Sequence, residues 1–90
     1  MTNVNAAAED VMPQAGANTK GQRIGKIDSV AKAAQNDTVT ITNASTVDAV
    51  EVISCIDDTT GAFEAHTISN NVVTMTSATT GAKTLWVYYK

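Results

Sequence analysis

The apolar and polar positions along the chain divide it in two at about residue 22. Before that point the large apolar residues are Val4, Val11 and Met12, and they keep neither a helical nor a strand period. Ala6–Met12 is Ala-rich enough for a turn or two of helix. However, Pro13 disfavours helix at the residue before it, and so short a helix is marginal in water. Residues 1–22 are therefore expected to form an extended or flexible N-terminal arm. It would reach about 70 Å if fully stretched at roughly 3.3 Å per residue. Val11, Met12 and Pro13 are its natural apolar anchor.

From Arg23 the pattern changes to short alternating runs separated by turn residues. Ile24, Ile27 and Val30 mark a strand over 23–33, with Gly25 inside it signalling a bulge or a close backbone approach. Gln35-Asn36-Asp37 turns the chain. Thr38-Val39-Thr40-Ile41-Thr42 then alternates strictly, with Val39 and Ile41 on one face. Val50 to Ile56 reads as a central strand, with Val50, Val52 and Ile56 on one face and Glu51, Ile53 and Cys55 on the other. Asp57-Asp58-Thr59-Thr60-Gly61 is a turn, because Asp bonds its own downstream backbone and Gly tolerates positive φ. Further strands follow over 62–68, 72–76 and 84–89. About six strands at regular spacing predict an all-β fold, a small antiparallel β-sandwich or barrel over residues 23–90. Thr-Thr-Gly-Ala occurs at 59–62 and 79–82, which is reuse of a hairpin turn and too few copies for a repeat protein.

A chain of 90 residues makes one domain. A domain of this size buries only roughly 60% of its unfolded surface, so association is a natural source of further stability. The net charge of −3 opposes direct nucleic-acid binding, which needs a basic surface. Nothing at the N-terminus reads as a secretory signal, and no apolar run has membrane-spanning length. The expectation is assembly in a cytoplasm with no membrane partner.

Candidate chemistry is sparse. His66 and Cys55 are the only histidine and cysteine, too few for a zinc set, and no nucleophile elbow accompanies them. Cys55 lies in an apolar run, where cysteine behaves as a small hydrophobe. Asp57-Asp58 does not begin a calcium loop, since its twelfth position is Ile68. Glu51 and Glu64 could lie on adjacent strands as a carboxylate pair, but the chain is small for an ordinary sugar-cleaving cleft. No catalytic residue, metal or cofactor is expected.

Two features point instead to contacts. Lys20, Arg23, Lys26 and Lys32 cluster, whereas residues 37–64 hold six acids and no base, so the chain is electrically two-ended. Trp86 and Tyr88 share one face of the last strand, with Leu85, Val87 and Tyr89 on the other. One set is core; the other is an exposed patch or sugar platform, unless both faces are covered.

An extended polar arm leading into a Thr-, Val- and Ala-rich body, with hairpins such as Asp57–Ala62 and Asn71–Ala82, resembles the small decoration or cement proteins of tailed-phage heads. The resemblance implies a compact β body, symmetric multimers on the capsid surface, and arms that tie neighbours together. The expected partners are the major capsid protein lattice and sister copies. Val11, Met12, Pro13, Lys20, Arg23, Lys26, Trp86 and Tyr88 are the expected contact residues. The alternatives are a tail-tube, connector or fibre component, or a carbohydrate-binding module using Trp86 and Tyr88.

Overall fold

A computed structural model describes residues 2–10, 23–44 and 50–89. Its strands are β1 (Asn3–Ala6), β2 (Glu9–Asp10), β3 (Arg23–Lys32), β4 (Asp37–Ile41), β5 (Glu51–Asp57), β6 (His66–Ser69), β7 (Val72–Met75) and β8 (Gly81–Tyr89). They form two four-stranded sheets, ordered β1-β4-β7-β6 and β2-β3-β8-β5. The protein is thus all-β, with a small β-sandwich architecture. One face of each sheet supplies the core: Val39, Ile41, Val73 and Met75 from the first, and Ile27, Val30, Cys55, Leu85, Val87 and Tyr89 from the second. The strict alternation read in residues 38–42 is realised, with Val39 and Ile41 fully buried.

The N-terminal segment departs from expectation. Residues 3–10, read as part of an arm, are paired into both sheets. β1 runs parallel to β4, so the sandwich is not purely antiparallel, and β2 pairs with β3. Val4, Ala6 and Ala8 alternate inward as a strand requires, but backbone bonds and small side chains do the holding, so the period is faint among the neighbouring alanines. Thr38 N–H donates to Thr2 O and Thr42 N–H to Ala6 O. The Asn43 amide clamps Ala8 through both its N–H and its C=O, and the Ala8 side chain enters the core. The remainder of the expected arm, residues 11–22, lies outside the described residues.

Gly25 provides a close approach rather than a bulge. A Cβ there would lie 2.6 Å from the Tyr89 ring and 2.8 Å from the Ala8 Cβ. The β3 register shift falls between Ile27 and Val30, where Ser29 has φ 53°. β5 also shifts register, between Val52 and Ser54. That shift leaves Ile53 exposed while Cys55 and Asp57 point inward, which changes the facing expected for the second half of this strand. Residue 62 also does not begin a strand. The chain runs beside β5 through the Ile56–Phe63 bridge before entering β6.

Candidate functional site

The feature that composition conceals is a set of charges inside the sandwich. Lys83 continues the inward register of Leu85, Val87 and Tyr89 along β8, and Lys32 continues that of Val30 along β3. Asp57 ends β5 directly opposite Lys83. Glu64 reaches the same space because its N–H donates to Cys55 O at 2.8 Å, holding residues 63–64 against β5. Alternation then turns Phe63 out and Glu64 in. All four charged residues are at most 5% exposed.

Their partners leave little unsatisfied. Lys83 Nζ lies 2.5 Å from Asp57 Oδ2 and 3.1 Å from Glu64 Oε1. Lys32 Nζ lies 3.1 Å from the same Glu64 oxygen and also donates to Ser77 Oγ and to the carbonyls of Ser77 and Thr79. Ser77 donates its hydroxyl to Glu64 Oε1 at 2.6 Å and its N–H to Oε2 at 3.0 Å. Asp57 Oδ1 accepts the N–H groups of Thr59 and Thr60 at 2.8 and 3.0 Å, so the turn expected of this aspartate exists and is also anchored to the core.

Two ammonium groups therefore face two carboxylates. Burial pushes the Glu64 carboxyl up, but the Ser77 donors and the two lysines outweigh it and hold it at about 2. The Lys83 hydrogen bond, followed by the Thr60 and Thr59 amides, holds Asp57 at about 2 as well. Burial pulls Lys83 down, but Asp57 and Glu64 raise it above its ordinary value. Burial, followed by the charge of Glu64, pushes the Cys55 thiol up to about 11, so it stays protonated. At the same end of the sandwich, Asp37 is fully buried and accepts N–H groups from Thr2, Ala33 and Ala34. Led by Thr2, these bonds lower its pKa.

The expected contact residues fall elsewhere. Lys26, Trp86 and Tyr88 come together on the outward face of the β2-β3-β8-β5 sheet, where Lys26 pairs in register with Trp86 and Ile24 with Tyr88. Leu85, Val87 and Tyr89 are the core set. Lys26 Nζ sits 5.2 Å from the Trp86 ring centroid and 3.1 Å from Asp28. Arg23 opens β3 opposite Tyr89. Val11, Met12, Pro13 and Lys20 lie outside the described residues. Lys32, counted in the basic run, is no surface charge, because Glu64 and the Ser77–Thr79 turn enclose it. Glu51 is exposed and Glu64 interior, so the two do not face each other across a cleft.

Strands β5 and β6 are the last strands of the two sheets on one side of the sandwich, and residues 62–64 cover the outer edge of β5 over Cys55–Asp57. An open groove of about 490 Å³ runs between β5 and β6, lined by Val50, Glu51, Val52, His66, Thr67 and Ile68. Ile53, Ile68 and Phe63 are exposed along these strands and the segment between them, and Phe63 packs against the His66 ring at 5.5 Å. The sequence missed the interior charges, although one signal was present. Lys83 and Lys32 stand at core positions of their strands, and a lysine in core register requires a buried anion.

These features define a small two-sheet β-sandwich with ionic groups locked inside and exposed apolar side chains on one side. Comparison with protein families, with curated proteins and with solved structures finds no match to the chain.

Proposed function

We propose that this chain is a non-enzymatic structural protein of a virion, a decoration or cement protein that binds the head of a tailed phage. The observation that carries this reading is the set of exposed apolar side chains on β5, on β6 and on the segment between them: Phe63 at 67%, Ile53 at 47% and Ile68 at 37% exposure. Exposed apolar side chains gathered on one side of a small domain favour docking on a partner. A small body with one modest patch binds weakly alone, and many copies on a lattice gain by multivalency. Residues Val11, Met12, Pro13 and Lys20, together with Arg23 and Lys26, supply further contacts to the shell or to sister copies.

The test adds the purified chain to whole particles, head and tail, of the phage that encodes it, grown without this chain, with occupancy read by electron microscopy. Ordered density on the outer shell is expected, and Phe63→Ser should weaken binding by about tenfold, or 1.4 kcal/mol. Density confined to the tail would move the reading to a tail-tube, connector or fibre part, and absence from the particle would end both.

A second reading, a carbohydrate-binding module, draws on the outward placement of Trp86 and Tyr88. Lys26 over the Trp86 ring already occupies part of that platform. Glycan binding lost in Trp86→Ala with the fold intact would favour this reading.

A further inference from the structure

The interior charges combine the elements of a covalent reaction that the contact-based function does not use. Lys83 Nζ touches Asp57 Oδ2 at 2.5 Å, one bond from the carboxyl carbon. The other oxygen, Oδ1, is held by two backbone N–H groups, those of Thr59 and Thr60. Such a pair is an oxyanion hole for a tetrahedral centre formed at that carbon. Glu64 Oε1 lies 3.1 Å from the same Nζ, within reach to take and return a proton. The side chains of Lys83, Asp57 and Glu64 are 1%, 6% and 1% exposed, so bulk water is kept from the site.

We propose that Lys83 and Asp57 condense autocatalytically to an intramolecular isopeptide bond, with Glu64 as the proton-transfer residue. Along the short hydrogen bond, Nζ passes one proton to Oδ2, leaving an uncharged amine beside an uncharged acid. The amine attacks Cγ, and the negative charge on Oδ1 is met by the Thr59 and Thr60 amides. Glu64 takes a second proton from Nζ and returns it to the Oδ2 hydroxyl. The Cγ–Oδ2 bond breaks, and that oxygen leaves as water carrying two of the three ammonium protons. The third remains on the amide nitrogen. No oxidant, reductant or activating group is needed, and one positive and one negative charge disappear together. Lys32 and Glu64 remain as a one-to-one pair, so the four-residue cluster is charge-balanced before and after.

Amide formation from free acid and amine is unfavourable in water. Here the groups are fixed in register on adjacent strands, and effective molarities of about 10⁵–10⁸ M are reached in such intramolecular settings. Both carboxyls favour ionisation, so the uncharged pair is rare and the reaction is slow. Lys32 is the poorer nucleophile. Its nitrogen is spent on Glu64, Ser77 and Thr79, and the Glu64 oxygen away from it, Oε2, accepts one backbone N–H rather than two. The product ties β5 to β8 near the end of the sandwich where the Asp57–Gly61 turn begins.

The deciding measurement is the intact mass of the denatured parent chain after prolonged warm incubation in the folded state, followed by tandem mass spectrometry. The expected result is a mass lower by one water molecule, with a branched tryptic peptide joining Asp57 to Lys83 and no cleavage after Lys83. Glu64→Gln, checked for folding by circular dichroism, should retain the full sequence mass, as should Asp57→Ala. An unchanged parent mass overturns the proposal. So does a lost water that maps to a hydroxylamine-sensitive succinimide, or to a cross-link at Glu64.

Discussion

Replacing Lys32 by Met keeps the length and much of the volume of the side chain while removing its charge. In the structure this leaves Glu64 sharing Lys83, the one other cation paired with it among the described residues, with Asp57, and it takes a donor from Ser77 Oγ and from the carbonyls of Ser77 and Thr79. If Lys83 and Asp57 are joined as an amide, Glu64 has no counter-charge left among the described residues, so the prediction holds in either state. Removing one partner of a buried ion pair costs about 3–5 kcal/mol, because the other charge stays desolvated and unmatched. A 90-residue domain has only about 5–13 kcal/mol in total, at roughly 0.05–0.15 kcal/mol per residue. Lys32→Met should therefore lower the midpoint of thermal unfolding by upwards of about 12 °C, at roughly 4 °C or more per kcal/mol. Urea unfolding followed by Trp86 fluorescence gives the free energy directly. The double variant Lys32→Met/Glu64→Gln should recover about 1–3 kcal/mol, since it removes the stranded anion as well. The deficit of the single variant should also narrow at lower pH, because an unpaired buried Glu64 folds better once protonated. A loss below about 1 kcal/mol, or a double variant no better than the single, would refute the claim that these charges hold the end of the sandwich together.

Gly25→Ala should destabilise by about 1–3 kcal/mol in urea titrations, because its Cβ would overlap the Tyr89 ring and Ala8. Acid should unfold the parent late. In the protein before any Lys83–Asp57 linkage, Asp57 and Glu64 have folded-state pKa values of about 2, below their ordinary 3.8 and 4.5, so their contribution is complete above about 4.5 and lost as pH falls towards 2. A circular-dichroism titration with its transition centred above pH 4.5 would contradict this. Cys55 should resist a thiol reagent at neutral pH in the native state and react fully in urea, since it is buried with its pKa at about 11. Rapid native labelling would show that the strand opens locally.

The sequence by itself determined the class of fold. Strict alternation in Thr38–Thr42 and in Leu85–Tyr89, and turns at Asn36 and at Asp57–Gly61, are local signals. They survive because a strand exposes its two faces alternately, whatever lies above them. The exposure of Tyr88 beside a buried Tyr89 follows the same rule, although only packing chose which face became core. Three other matters needed the tertiary structure. Residues 3–10 join the sheets through backbone bonds, the Asn43 clamp and the alternating inward positions Val4, Ala6 and Ala8, whose side chains are too small to stand out as a strand pattern in an Ala-rich stretch. The shift between Val52 and Ser54 reverses the facing of half a strand, which alternation cannot foresee. The Lys32–Glu64–Lys83–Asp57 cluster joins residues from four separate stretches of chain, and its charges sum to zero. Read along the chain, Lys32 belongs to a basic run and Asp57 to an acidic turn. Only the meeting of β3, β5, β8 and the strand-like crossing at Glu64 turns them into one desolvated, mutually neutralised site, because the Coulomb energy that decides their protonation depends on distance in space and on the exclusion of water.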